Sequence, residues 1–128
     1  MRVLVCGGRH YHDRTATFRA LVALQPLVII CGACPAGADQ HAIDYAVVHW
    51  TGLEQYPVDH ALDGPWPAAG PKRNYRMLVT SKPDVVLAMP GGRGTANMIE
   101  RARQAKFVQA PAIGPARMFY RPGWRADP

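Results

Sequence analysis

The stretch Val85-Val86-Leu87-Ala88-Met89-Pro90-Gly91-Gly92-Arg93-Gly94-Thr95 decides the fold. A short β-branched apolar run ends in a glycine-rich turn, and a helix-period segment follows, so the segment reads as strand, tight turn, helix. Glycine allows close approach of the backbone to a ligand, because no Cβ stands in the way. The following helix points free N–H groups and its positive dipole end at the turn, which makes an anion site. Arg93 adds a charge and Thr95 a hydroxyl. The pattern is a phosphate cradle without the Lys-Ser/Thr pair of a Walker loop.

The same grammar recurs at the N-terminus, where Val3-Leu4-Val5-Cys6 is closed by Gly7-Gly8-Arg9. Elsewhere apolar runs alternate with helix-period segments, the pattern of a parallel α/β sheet. Strands are expected at about 2–6, 27–31, 53–58, 84–89 and 108–113, the last demoted to an edge by Pro111. A first helix follows an Asp13 cap, with Phe18, Leu21, Val22 and Leu24 facing inward. A second begins near 37–39 and buries Ile43, Ala46, Val47 and Trp50. Residues 59–70 read as a loop around Trp66. A third helix starts at Gly70-Pro71, with Tyr75, Leu78 and Val79 as its inner stripe, and a fourth runs over 94–106 on Met98, Ile99 and Ala102. The division is a domain over 1–113 and an aperiodic tail over 114–128 carrying Arg117, Arg121 and Arg125.

Right-handed crossovers give an expected strand order of 3-2-1-4-5 in a three-layer α/β sandwich. That order brings the first and fourth strands together at the topological switch point, so both glycine turns open on one crevice. Asp39 and the Lys72-Arg73-Asn74 helix start belong to the same edge. Arg73 and Asn74 are expected in a first helical turn, where a cation is unfavourable unless an anion is near. Asp39 is either an N-cap or an acceptor for a ribose hydroxyl. Tyr11 is either a base-stacking residue or an ordinary half-buried tyrosine.

With 128 residues, the chain is one domain by length, and 48% hydrophobic content excludes general disorder. Its apolar runs are too short to span a bilayer, and Met1-Arg2 leads directly into a strand, so a cytoplasmic location is expected. The formal charge of +6 raises nucleic acid as a partner, but the cations cluster at the loops or at a helix end rather than on one reading face. Cys31-Gly32-Ala33-Cys34 has the spacing of redox and metal sites, yet no second pair completes a zinc set, and neither a metal nor a cofactor is expected. The apolar residues Met118, Phe119, Tyr120 and Trp124 of the tail point to a homo-oligomer, with a dimer favoured by symmetry.

Together, Gly7-Gly8-Arg9, Gly32 with Gly37-Ala38-Asp39, Gly70-Pro71-Lys72-Arg73-Asn74 with Met77, and Pro90-Gly91-Gly92-Arg93-Gly94-Thr95 resemble the SLOG superfamily, in its YspA-type, circularly permuted YpsA-related branch. More distantly the chain is similar to Lonely Guy phosphoribohydrolases, lysine decarboxylase-like proteins and the DNA-processing protein DprA. The resemblance implies a Rossmann-like fold with a nucleotide-derived small molecule at the glycine loops, and a role in sensing or processing nucleotides in phage–host conflict. It implies ligand contacts from Gly7, Gly8, Arg9, Gly32, Asp39, Arg73, Asn74, Gly91, Gly92, Arg93, Gly94 and Thr95. Lonely Guy enzymes carry catalytic glutamate shortly after the threonine of this motif, where this chain has Asn97 and Met98. Glu100 lies three residues beyond Asn97, about 300° around the helix axis, and is expected to pair with Arg103 or Lys106. Three functions follow: a nucleotide-binding module, an N-glycosidase using Asp39 or Glu100, or a DprA-like nucleic-acid binder.

Overall fold

In the computed structural model, which describes residues 1–124, strands and helices alternate as the apolar runs require. The order is β1 (Arg2–Cys6), α1 (Arg14–Leu24), β2 (Val28–Cys31), α2 (Gly37–His49), β3 (Gly52–Gln55), α3 (His60–Asp63), α4 (Ala69–Ser81), β4 (Val85–Ala88), α5 (Arg93–Gln104), β5 (Val108–Ile113) and β6 (Ala116–Tyr120). Arg125, noted above in the tail, lies outside the described residues.

One six-stranded sheet runs β3-β2-β1-β4-β6-β5. The first four strands pair in parallel, with Val3 opposite both Ile29 and Val85. Alternate residues of these strands serve two cores. Val3, Val5, Ile29, Val85 and Leu87 pack beneath α1 and α2. Leu4, Ile30, Val86 and Ala88 pack against Met77 and Leu78 of α4 and Met98, Ile99 and Ala102 of α5.

The expected all-parallel sheet of order 3-2-1-4-5 fails at one edge. β6 lies between β4 and β5 and is antiparallel to both, so the sheet is mixed. The reason is proline. Pro111 has no N–H to give a central strand, so β5 stays outermost, as Pro111 predicts, and its ladder is irregular between Ala110 and Ile113. A two-residue turn, with Gly114 at a φ of 56° and Ile113 opposite Ala116, returns a proline-free strand to β4. Both faces of β6 are covered: Ala116 and Met118 join the first core and Phe119 the second. Met118 and Phe119 therefore satisfy their burial within the chain and supply no argument for a second copy. Tyr120 stacks on Trp124 at 5.1 Å between ring centroids.

The helical faces also differ from expectation. Asp13 does cap α1, accepting from the Ala16 N–H at 3.0 Å. The inward residues, however, are Thr17, Ala20, Leu21 and Leu24, while Val22 is exposed. In α2 the buried set is Ala38, Asp39, His41, Ala42, Tyr45 and Ala46, with Val47 and Trp50 outside. In α4, Asn74, Met77 and Leu78 face inward, with Tyr75 and Val79 exposed. Residues 59–70, expected as loop, contain α3, capped by Asp59 and clamped by Arg76, whose Nε and Nη2 donate to Asp63 at 2.9 Å each. That ion pair pulls the buried Asp63 carboxyl down to about 2.

Phe119 is fully buried. Phe119→Ala should lower unfolding free energy by about 3–5 kcal/mol in urea denaturation, the usual cost of an emptied aromatic site. A loss below ~1 kcal/mol would mean that β6 is not integral to the sheet.

Candidate functional site

The turns after β1 and β4 meet at the carboxyl edge of the sheet. The Gly8 N–H donates to Pro90 O at 2.9 Å, and the Gly8 carbonyl accepts from the N–H groups of Tyr11 at 3.1 Å and Ala38 at 3.2 Å. The packing leaves no space for side chains. A Cβ on Gly7 would lie 2.5 Å from the Ala38 Cβ, and one on Gly91 would lie 2.5 Å from the Gly8 nitrogen and against Thr95. Gly37 has a φ of 65° and packs on Gly8 and Arg9, so the start of α2 is fixed to the first turn.

A cavity of about 650 Å³ opens here. The two glycine turns line it, including Gly7, Gly8, Arg9, Gly91, Gly92, Arg93, Gly94 and Thr95. Gly32, Asp39, Arg73 and Asn74 complete the set expected from sequence. The structure thus brings all those positions to one place, except Glu100. Glu100 is exposed on α5, is absent from the lining, and accepts from Gln104 Nε2 at 3.5 Å rather than pairing with Arg103 or Lys106. Asn97, where Lonely Guy enzymes have an acid, accepts from Asn74 Nδ2 at 3.2 Å.

Sequence reasoning misjudged how Arg73 and Asn74 are held. α4 begins at Ala69, so Arg73 sits beyond its first turn and the dipole argument does not apply. Arg73 is instead a brace. Its Nη1 donates to Gly32 O at 2.9 Å and Tyr56 O at 3.0 Å, and its Nε to Asn74 Oδ1 at 3.1 Å. The guanidinium lies directly on Gly32, where a Cβ would meet Nη1 at 2.6 Å. Asn74 Nδ2 reaches Gly94 O at 3.1 Å and so ties α4 to the start of α5.

Helix ends distinguish this edge. Among the described residues, α1 and α3 are capped by aspartate side chains and do not line the cavity. α2, α4 and α5 line it, and none has a side-chain cap. The first N–H groups of α5 therefore lack a side-chain acceptor, which leaves them to an anion. Arg9 and Arg93 are exposed and have no carboxylate partner among the described residues.

Asp39 is the one carboxylate in the lining. It is buried, and its Oδ2 accepts from the Cys34 N–H at 3.0 Å rather than capping α2. Burial raises its pKa above the ordinary 3.8, while the Cys34 N–H and the Arg73 charge pull the other way without cancelling it. Cys6 and Cys34, the latter from the Cys31–Cys34 pair noted above, also line the cavity. Burial pushes the Cys6 thiol up to about 12 and the Cys31 thiol up to about 11, so neither is a ready nucleophile. No cluster of three or more His, Cys, Asp or Glu side chains among the described residues is arranged for a metal ion. Tyr11 is half-buried at the rim, edge-on to His41 at 6.1 Å. No described helix is long and apolar enough to cross a membrane.

Residues 1–62 match the model of the YspA, cpYpsA-related SLOG family. The chain is thus similar to that family over its first 62 residues. No curated protein matches it significantly.

A raised carboxyl pKa favours the fold while the group is protonated, below pH 3.8, and that contribution disappears as pH rises through the raised value. At neutral pH the ionised Asp39 therefore costs stability. Asp39→Asn, which keeps an acceptor for the Cys34 N–H, should raise Tm at pH 7 and give no gain below pH 3.8. Calorimetric melts across that range check both signs.

Proposed function

We propose that the protein binds the phosphate of a nucleotide or nucleotide-derived small molecule between its two glycine turns, as a sensing or processing module. The observation that carries this reading is the Gly8–Pro90 hydrogen bond, which fixes both turns around one cavity bordered by uncapped helices and uncommitted arginines. The likeness of residues 1–62 to the SLOG family model supports nucleotide-related binding in general. Backbone N–H groups and the α5 dipole supply directional anion contacts, and Arg9 and Arg93 supply charge that can engage phosphate in bidentate fashion. Arg73, already committed to two carbonyls, shapes the wall and keeps Nη2 for a ligand.

The test is titration calorimetry with a panel of mono- and dinucleotides. Charged hydrogen bonds are worth about 1.5–3 kcal/mol each, so the double variant Arg9→Gln/Arg93→Gln should weaken binding by at least ~10-fold with Tm unchanged. Gly91→Val should abolish it, since its side chain would separate the turns. Full affinity in the double variant would refute the placement.

A second reading, N-glycosidic hydrolysis, is favoured by the desolvated carboxylate of Asp39 in the cavity wall. It lacks an acid at position 97, whose asparagine is engaged with Asn74. Base release from nucleoside monophosphates, followed by chromatography, should be weak or absent. Several turnovers per second, lost in Asp39→Asn with binding retained, would establish the enzyme instead.

A further inference from the structure

A second concavity, of about 690 Å³, lies at the opposite end of the sheet, between the last turns of α4 and α5 and the start of β4. Its walls are apolar: Tyr75 and Val79 are 54% and 51% exposed, and Pro83 and Phe107 extend the same surface. Its volume falls within the range of small-molecule sites, about 300–1,000 Å³.

The charges around it are one-sided. Lys82, Arg101 and Arg121 line it, against the single carboxylate of Asp84. Asp84 is fully committed, taking the Arg2 N–H on Oδ2 at 2.8 Å and Arg121 Nη2 on Oδ1 at 2.9 Å. Lys82 and Arg101 have no carboxylate partner among the described residues. Arg101 is the most telling. Its Nε is buried with no hydrogen-bond partner, while its guanidinium lies 5.4 Å from the centroid of the Tyr75 ring. A location near the carboxyl end of α5 suits a cation, but it does not account for a buried donor without an acceptor. Nε is closed off from the concavity, so the Nη groups, which also make no hydrogen bond among the described residues, are the donors open to an anion there.

We propose that this concavity is a second ligand site, for an amphipathic organic anion. An aromatic or alkyl body would cover Tyr75, Val79 and Phe107, and its carboxylate, sulfonate or phosphate would face Arg101 and Lys82. The site shares no lining residue with the glycine-turn cavity, so the proposal stands independently of the phosphate reading.

The probe is 1-anilinonaphthalene-8-sulfonate, followed by fluorescence, with the uncharged N-phenyl-1-naphthylamine as its neutral counterpart. The sulfonate should bind saturably at one site per chain and at least ~10-fold more tightly than the neutral probe. Arg101→Gln should weaken the sulfonate by about 10-fold and leave the neutral probe unaffected. Val79→Asp should weaken both, whereas Val47→Asp, on exposed α2, should change neither. Circular dichroism melts establish that each variant is folded. Equal affinity for the two probes, or sulfonate binding indifferent to both Arg101→Gln and Val79→Asp, overturns the proposal. So does light scattering that shows wild-type dimers converted to monomers by Val79→Asp, which would make the concavity a contact between copies.

Discussion

The hydrogen bond from the Gly8 N–H to Pro90 O is the constraint on which the cavity depends. It holds two loops at a separation that only hydrogen atoms in place of side chains permit. Gly7 meets Ala38 and Met89, Gly8 meets Gly91, and Gly91 meets Thr95, each too close for an added Cβ to be accepted without movement. Three elements, β1, α2 and β4, thus converge through backbone. The wall they make is largely peptide, its polarity comes from N–H and C=O groups, and charged side chains enter only from the periphery. Such a wall is rigid because it rests on β1, whose residues from Val3 to Cys6 are buried and which pairs with β2 on one side and β4 on the other.

The opposite edge of the sheet obeys a second backbone rule. A strand next to β4 must supply N–H groups along its length, and the segment containing Pro111 is poorly suited to that place. The hairpin resolves the conflict by passing β6 inward. The inward strand then completes both helical layers through Met118 and Phe119, and the Arg121–Asp84 pair fastens its end to the start of β4. What reads as a tail is thus the strand that closes the core on this side.

Legibility in the sequence followed physical cause. Glycine turns were readable because close backbone approach can be met by almost no other residue, and they fixed the central strand pairing and the position of the cavity. Asp13, Met98, Ile99 and Ala102 were placed correctly for similarly local reasons. Helical faces on α1, α2 and α4 were misread because periodicity was sought among large apolar residues. Where α1 and α2 lie close on the sheet, the contact is made by Ala20, Ala38, Ala42 and Ala46, and the bulky Val22, Val47 and Trp50 are outside, while on α4 Met77 and Leu78 face inward and Val79 does not. β6 was hidden for another reason. A strand covered on both faces loses the polar–apolar alternation that marks a half-buried one, and flanking prolines imitate a loop. The brace of Arg73 on Gly32 and Tyr56 was not readable at all, since it links positions up to 41 apart without a local pattern.

Asp39 carries the argument a step further. Its carboxylate is buried within the influence of the Arg73 charge, yet no ion pair joins them, because Arg73 is spent on Gly32, Tyr56 and Asn74. A fold optimised for stability alone would neutralise such a group, by pairing it or by replacing it with an amide that keeps the Cys34 contact. Instead the chain retains a desolvated anion in a cavity whose other charged side chains are cations. A group held at a cost to the fold, in the wall of a concave site, is where local rules of stability are expected to yield to the chemistry of a ligand. Two features of the same edge have this character: helix ends without caps and arginines without partners. All three conditions would be relieved by one kind of occupant, an anion at the turns bearing donor groups toward Asp39, and that coincidence ties the proposed phosphate site to the acid beside it.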